Sequence, residues 1–504
     1  MDPKSMSLPD DSHLSKRYSI IREIGKGAYG VVYKARDVRN GKIVAIKRCI
    51  GVFQNEHDAQ RSYREIYYLR LLKHINVIPL LNIHKSSNPH DLYLVFPYMA
   101  ADLHSVIRHN IMQEQHLEYV SYQMFLAVSF LHSGGLLHRD LKPSNILIGS
   151  DSIIKICDFG LARALVKTES SADFPAALMT DYIATRWFRS PELLLGDKNY
   201  DAAIDIWSLG CIIAEMFLQK PLFPGHSTLN QLALILKVIG HPTDEEIHAC
   251  GSPHARTMLD ALPDCVRKAS RVTHGFSHIS PAESPSLASI KEKGRPCLVR
   301  SHSMGFLKGK KSSPIQAPSL FRVSSSKSLS LIPVSNYSVI PEISSIKSLK
   351  RRLAYCDPSV HTVRVLRERL PNAPRLAIDL IARCLSFSPS RRISAKDALH
   401  HPYLARFARK DGSMDKCVLP VPLCKDKFPL PSLADDVKFS VARYRAEIAR
   451  MVCKKDDKRS GGRDSKSRDS KSRDHQEMSS ESSEPRDEKD GMKDCFTEVA
   501  EVQG

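Results

Sequence analysis

The 504-residue sequence predicts an α+β fold in two lobes, a small β-rich N-terminal lobe carrying one helix and a larger, mainly α-helical C-terminal lobe. Three observations carry this expectation. Residues 18 to about 100 alternate apolar and polar positions and are rich in β-branched side chains. One stretch among them, "DAQRSYREIYYLRLLKH", has helical spacing instead, and from about residue 102 the apolar period becomes that of helices throughout.

The elements follow in order. Residues 1–17 show no periodicity and are expected as a flexible lead-in. "YSIIREIGKGAYGVVYKARD", "KIVAIKRC" and "DLYLVFPY" predict twisted antiparallel strands, and Ile66, Leu69 and Lys73 mark the helix face expected on that sheet; together they make an N-lobe over about 18–101. The C-lobe, from about 102, is predicted from "EYVSYQMFLAVSFLHS", "AIDIWSLGCIIAEMF" and "LNQLALILKVIG". Residues 267 to about 355 are rich in Ser, Pro and Lys, a composition that buries too little apolar surface to offset chain entropy, so a disordered insertion is expected there. Helical pattern resumes at "APRLAIDLIARCLSF" and "SAKDALHHPYLARF", so the insertion interrupts a single domain over 18–404. An extension packed on that domain, with a short helix in "SVARYRAEIARMV", is expected over 405–454, and a disordered charged tail opening with "RDSKSRDSKSRD" over 455–504.

The formal charge of +19 would ordinarily point to nucleic acid or anionic membranes. Its distribution argues otherwise, because Arg267 to Arg352 carry sixteen Lys or Arg against three acids, Glu283, Glu292 and Glu342, and most of the excess lies there. Nucleic acid is therefore not expected as the main partner. The twelve cysteines are scattered without a CxxC, which suggests neither a zinc site nor a disulfide framework and fits a reducing compartment. With no hydrophobic signal region in "MDPKSMSLPDDSH", no apolar run of spanning length and no prenylation box in "EVQG", a soluble protein of the cytoplasm is expected, with the nucleus left open.

Four motifs carry chemistry. "GKGAYGVV" sets Gly25, Gly27, Gly30 and Val32 at GxGxxGxV spacing, where glycines let a hairpin lie close over phosphates; strands on both sides, with no helix after the third glycine, disfavour a dinucleotide unit. "VAIK" supplies Lys47 and "YREI" supplies Glu65, an ammonium and a carboxylate able to pair. "LLHRDLKPSNIL" brings Asp140, Lys142 and Asn145 within six residues, and "KICDFGLAR" adds Asp158 after a strand. Packing does not demand HRDxxxxN followed at this distance by DFG.

On these residues the chain resembles a eukaryotic protein kinase, and the resemblance implies their roles. Asp140 would take or orient the substrate hydroxyl proton, Lys142 would stabilise the transferring phosphoryl group, Lys47 would hold the α and β phosphates of ATP, and Glu65 would hold Lys47. Asn145 and Asp158 would bind Mg²⁺ through hard oxygen ligands. Ile24, Lys26, Ala28, Tyr29, Ala45 and Leu147 would surround the nucleotide with the glycines and Val32. In the hinge-like "LVFPYMAAD", Phe96 is the gatekeeper, Pro97 follows where only a carbonyl is needed, and Met99 supplies the N–H. Asp102 is placed to bond the ribose or, equally, to cap a helix. Cys157, just before DFG, is expected as a packing residue.

Between DFG and an APE-like motif lies "LMTDYIATRWFRSPELLLG", whose Thr180-x-Tyr182 resembles the activation segment of MAP kinases, as do "ATRW", "PLFPG" and "HPYL". The resemblance covers about 18–266 and 365–406. It implies phosphorylation of both hydroxyls, with Arg64, Arg139 and Arg163 gathering on phosphothreonine, and Arg186 and Arg189 on phosphotyrosine, and it implies Ser-Pro or Thr-Pro substrates. Three positions depart from the usual pattern: Asp181 in the middle of the motif, Phe188 for a tyrosine, and Ser190 for the alanine of APE. The "SVARYRAEIARMV" extension is most similar to the atypical long-tailed extracellular-signal-regulated kinases, which sets self-activation beside an upstream MAP kinase kinase, with phosphatases as opposing partners. Asp435 and Asp436 of "LADDVKF" are either an acidic docking patch or a solvated turn. The basic insertion is a regulatory loop, a docking arm, a polyanion binder or a spacer. The expected protein is a monomer; a cyclin-dependent-like kinase and a catalytically silent scaffold are the alternatives, the first opposed by Tyr182 and the second by the complete catalytic set.

Overall fold

The computed structural model describes residues 11–27, 30–165, 183–263, 357–404, 407, 427–431, 433 and 437–453. Ala28, Tyr29, Thr180, Asp181, Tyr182, Asp435, Asp436, the 267–355 stretch and the tail from 454 lie outside the described residues.

The N-lobe is a five-stranded antiparallel sheet in the order β1-β2-β3-β5-β4, from Tyr18–Gly27, Gly30–Asp37, Ile43–Cys49, Leu92–Pro97 and Asn82–Lys85 respectively. Alternation along the strands splits its side chains between two cores. Tyr33, Ala35, Val44, Ile46, Tyr93 and Val95 fill one with Tyr18 and Ile20. Cys49, Leu94 and Phe96 face the other, together with Ile66 and Leu69 of helix α2, Glu56–Leu71. Lys47, one residue beyond Ile46, therefore points to the α2 side.

Two expectations are corrected here. Residues 11–17 are not a loose lead-in: Ser12–Ser15 form a short helix, α1, whose Leu14 is fully buried in the first core. The buried Asp11 carboxylate accepts hydrogen bonds from the Tyr93 hydroxyl (2.7 Å), the Ser86 hydroxyl (2.9 Å) and the Ser87 amide (2.5 Å). Burial opposes its ionisation, but these donors outweigh that and lower its pKa. Lys73 is not on the α2 face, because the helix, capped at Asn55 by a bond from the Asp58 amide, ends at Leu71 and the chain turns extended at Leu72.

The C-lobe begins with β6 (Ala101–Asp102), α3 (Leu103–Arg108) and α4 (Glu114–Ser133), followed by short strands β7 (Leu136–Leu137), β8 (Ile146–Ile148), β9 (Ile154–Ile156) and β10 (Arg163–Ala164). Helices α5 (Pro191–Leu195), α6 (Ala203–Leu218), α7 (Thr228–Ile239), α8 (Asp244–Ala249) and α9 (Ala255–Asp260) precede the undescribed stretch, and α10 (Val360–Arg369), α11 (Arg375–Cys384) and α12 (Ala395–Ala398) follow it. α4 and α6 are apolar on nearly every face and are buried accordingly. A buried ion pair joins segments on opposite sides of the undescribed stretch: Arg392 grips Glu192 with two bonds of 2.6 and 2.7 Å and lies 5.1 Å from the Trp207 ring centroid.

The last described helix, α13 (Val441–Cys453), buries Tyr444 and Ile448. Ahead of it, Phe428 donates its amide to the Gly134 carbonyl (2.8 Å) and packs on Phe130. No helix among the described residues is long and apolar enough to cross a membrane.

Candidate active site

The cleft between the lobes is built from strand register. Lys47 pairs with Val32 of β2 and Leu94 of β5, while Ala45, two residues back, pairs with Phe96, so Val32, Ala45, Lys47 and Phe96 share one face. Ile24 sits at a register shift between Glu23 and Gly25, the kind of bulge that re-aims a side chain. The three glycines are not equivalent. A Cβ at Gly30, whose φ is +146°, would stand 1.8 Å from the Arg48 carbonyl oxygen, whereas at Gly25 or Gly27 it would meet nothing within 4 Å. Gly30 is thus required by the close approach of β3, and Gly25 and Gly27 leave open space over the sheet.

Glu65 reaches Lys47 from α2, with Nζ 2.7 Å from Oε1 and 3.0 Å from Oε2. Burial alone would lower the pKa of the Lys47 ammonium, but Glu65, with Cys49 and Asp158 nearby, raises it, so the cation is held charged.

The catalytic loop is fixed from below. Asp205, buried near the start of α6, accepts the backbone amides of His138 and Arg139 (both 2.9 Å) and bonds His132 Nε2 (3.0 Å). Burial opposes the charge on Asp205; the His132 bond and the facing histidines lower its pKa nonetheless. This grip holds Arg139 at φ +68°, a strained conformation for a residue with a side chain. His138 bonds the Cys157 carbonyl through Nε2 (3.0 Å) and accepts the Asp140 amide at Nδ1 (3.3 Å), which fits the Nε2–H tautomer and links the loop to the DFG strand.

Asp140 follows, 8% exposed, with Lys142 Nζ 2.8 Å from its Oδ2. Asn145 Nδ2 donates to the Asp140 backbone oxygen (2.8 Å) and to Oδ2 (3.1 Å), which turns its amide oxygen the other way. Asp158 stands left-handed at φ +63° and caps the turn Phe159–Leu161. Burial would raise its pKa, but Lys47, Arg61, Lys142 and His138 bring it down to about 2. An ionised carboxylate and an amide oxygen are hard ligands, so Asn145 and Asp158 fit a small divalent cation. Cys157 donates its thiol to the Asn145 carbonyl (3.4 Å), and burial, with Asp158 adjacent, pushes its pKa up, the behaviour of an inert packing residue.

Other predicted positions fall as follows. Pro97 ends β5 and Met99 packs half-buried on the main core. Asp102 is the N-cap of α3, its two oxygens taken by the Ser105 amide and hydroxyl (2.9 Å each). Leu147 lies on β8 opposite Asp102 and Lys155. Gly25, Lys26 and Gly27 are exposed at the end of β1.

Among the arginines, Arg64 donates to the Gly160 carbonyl (2.9 Å), Arg163 begins β10 and pairs with Leu137, and Arg139 lies two residues past the end of β7 with its guanidinium 5.0 Å from the Tyr200 ring centroid. Arg186 bonds the His226 carbonyl (3.3 Å), its neighbour Trp187 bonds the Gly225 carbonyl (3.0 Å), and the Arg189 amide bonds back to Arg186. Sequence reasoning did not single out Asp205, whose "DIWSLG" context held a signal, or Arg61, whose contact with Asp158 had none.

Residues 18–283 match the family described as "Protein kinase domain". The chain is 35% identical over 454 residues to "Extracellular signal-regulated kinase 2" of Dictyostelium discoideum, spanning 89% of this chain and 94% of that protein. It is 34% identical over 453 residues to "Mitogen-activated protein kinase 15" of Xenopus laevis, spanning 89% of this chain and 59% of the relative. It is 46% identical over 264 residues to the protein of the same name in Caenorhabditis elegans, spanning 51% and 56%. With the paired Lys47 and Glu65, the HRD loop on Asp205 and the DFG turn in one cleft, the chain belongs to the protein kinase family and, within it, to the serine/threonine kinases of the MAP kinase type.

Proposed function

We propose that the chain transfers the terminal phosphoryl group of ATP to serine or threonine followed by proline in protein substrates, and that phosphorylation of Thr180 and Tyr182 activates it. Kinases of this family use ATP and a divalent metal and act on protein substrates under regulators. The observation that carries it is the meeting of Lys47, Glu65, Asp140, Lys142, Asn145 and Asp158 in one cleft.

In this cleft Lys47, kept charged by Glu65, binds the inner phosphates. Asp140 accepts the substrate hydroxyl proton, and Lys142, held beside it, faces the charge that develops on the transferring group. Asn145 and Asp158 would hold Mg²⁺, which when bound would neutralise phosphate charge. Phe96, Ala45, Val32, Ile24 and Leu147 exclude water around the base, and Met99 offers its backbone amide. Asp102 serves as a helix cap first.

Arg64, Arg139 and Arg163 hang on α2, the catalytic loop and β10, so one phosphate on Thr180 would couple three elements. Arg186 and Arg189, beside the Gly225–His226 turn, suit phosphorylated Tyr182 and a pocket for the following proline. An upstream MAP kinase kinase or the chain itself supplies these phosphates, and phosphatases remove them. Asp435 and Asp436 are a docking patch for basic partner peptides. The protein acts as a monomer in the cytoplasm, with the nucleus left open. The test is incubation of phosphatase-treated full chain with Mg-ATP, beside Asp140→Asn, followed by mass spectrometry of the loop peptide and assay on Ser-Pro and Ser-Ala peptides. Phosphate on the Ser-Pro peptide alone, absent with Asp140→Asn, is expected after loop phosphorylation; a fully loop-phosphorylated sample that modifies neither peptide would sink the proposal.

A further inference from the structure

Helix α2 delivers more to the DFG turn than Glu65 and Arg64. One turn earlier, Arg61 directs Nη2 at both carboxylate oxygens of Asp158, at 3.3 and 3.4 Å. Its stem lies across Gly160 so closely that a Cβ there would stand 2.7 Å from Arg61 Nε and 2.8 Å from Cγ. The glycine of the turn thus makes room for this arginine, and the functional roles above give Arg61 no part.

We propose that Arg61 is a positioning residue that competes with the divalent cation for the Asp158 carboxylate and so sets how much free Mg²⁺ nucleotide binding requires. The inference rests on the reading of Asp158 as a metal ligand. Three features support it. Both distances exceed the roughly 2.7–2.9 Å of a strong N⁺–H···O⁻ bond, and one nitrogen is shared between two oxygens rather than a fork making two parallel bonds, so the pair is loose. Mg²⁺ takes carboxylate oxygen at about 2.0–2.1 Å and displaces a contact of this kind. The side chains of Arg61 and Asp158 are 16% and 24% exposed, so the pair is mostly covered but keeps some contact with solvent. Asp158 already faces Lys47 and Lys142, and each further fixed cation reduces what a divalent ion gains there. Lys47 and Lys142 have Glu65 and Asp140 as close carboxylates, and Arg61 contacts the Asp158 carboxylate directly.

The test uses the full chain and a fluorescent ADP analogue titrated with Mg²⁺, with Mn²⁺ binding followed by electron paramagnetic resonance as a direct metal readout. Arg61→Met keeps the stem and removes the charge; Arg61→Lys keeps a charge; Arg61→Gln stands in should the methionine variant lose its thermal unfolding transition. The expected result is half-saturation at about threefold to tenfold less free Mg²⁺ for Arg61→Met, with Arg61→Lys within about a factor of two of the unaltered chain. ADP affinity in EDTA should be the same in all. An unchanged or raised Mg²⁺ midpoint for Arg61→Met overturns the proposal, as does an equal shift for Met and Lys, which marks a packing role. Unaltered chain that binds the analogue with no dependence on Mg²⁺ or Mn²⁺ overturns both this inference and the metal reading beneath it; metal-dependent binding with no shift in the variant overturns only the inference.

Discussion

The Tyr67 hydroxyl on α2 lies 2.9 Å from the Leu430 carbonyl oxygen and 3.1 Å from that of Pro429, so the helix that presents Glu65 is tied to a segment far along the chain. Around this tie, Tyr63 Oη accepts the Leu433 amide (3.2 Å), Gln60 donates to the Val437 carbonyl (3.3 Å), and the Tyr63 and Tyr444 rings lie 5.7 Å apart. α2 is thus braced on its outer side as well as by the sheet.

That brace predicts a graded loss. Tyr444→Ala, which empties a fully buried site, should destabilise the protein by about 3 kcal/mol, and Tyr67→Phe by about 1 kcal/mol. Both should speed amide exchange in Glu56–Leu71 more than in α6. Exchange mass spectrometry with urea unfolding checks this; equal acceleration in the two helices would mean that the C-terminal segment does not brace α2 in particular.

The glycine hairpin should divide by position. Gly30→Ala drives a Cβ into the Arg48 carbonyl at a left-handed φ and should destabilise the fold by about 2 kcal/mol or more. Gly25→Ala and Gly27→Ala, with open space, should leave the unfolding midpoint nearly unchanged while raising KM for ATP. Thermal melts and initial rates on the three variants separate the two kinds of glycine.

Arg392 and Glu192 form a pair with side-chain exposures of 0% and 4%. Arg392→Met leaves a buried carboxylate without its partner and should cost about 3–5 kcal/mol. The double variant with Glu192→Leu should recover a large part of that, because no unpaired charge then remains. Chemical denaturation of the single and double variants gives the answer.

Glu215 supplies a pH test. It is 3% exposed, its Oε2 finds no hydrogen-bond partner among the described residues, and burial raises its pKa from 4.5 to about 7, with Arg108 pulling the other way. The folded chain therefore binds a proton that the unfolded chain has released between those two values, so this carboxyl makes stability fall as pH rises from about 4.5 to about 7, and the penalty is complete above that. Glu215→Gln should match the unaltered chain near pH 4 and exceed its stability by about 3 kcal/mol at pH 8. Urea titrations across this range that show the same difference at both ends would exclude a titrating Glu215.

The sequence by itself determined the two-lobed α+β class, because strand alternation and helical periodicity are local, and the chemical groups of the site, because HRDxxxxN, DFG, VAIK and the glycine hairpin combine residue types and spacings that packing does not explain. It also placed a helix in "SVARYRAEIARMV", though not what that helix touches. Tertiary structure alone decided the rest. Lys47 and Glu65 meet because β3 directs odd-numbered positions toward α2 and α2 turns Glu65 inward, a fact of register and crossing. Asp102 became a cap because Ser105 follows it at the helix start, and Lys73 left its expected face because α2 stops at Leu71. Leu14 and Asp11 are held in a segment that looked loose, because one buried leucine and three hydrogen bonds onto one carboxylate outweigh a polar local composition. Arg61 on Asp158, and Tyr67 on Leu430, join residues 97 and 363 positions apart. Period and motif are properties of neighbours along the chain; the contacts that hold and tune this site form between distant segments, and only the folded packing brings them together.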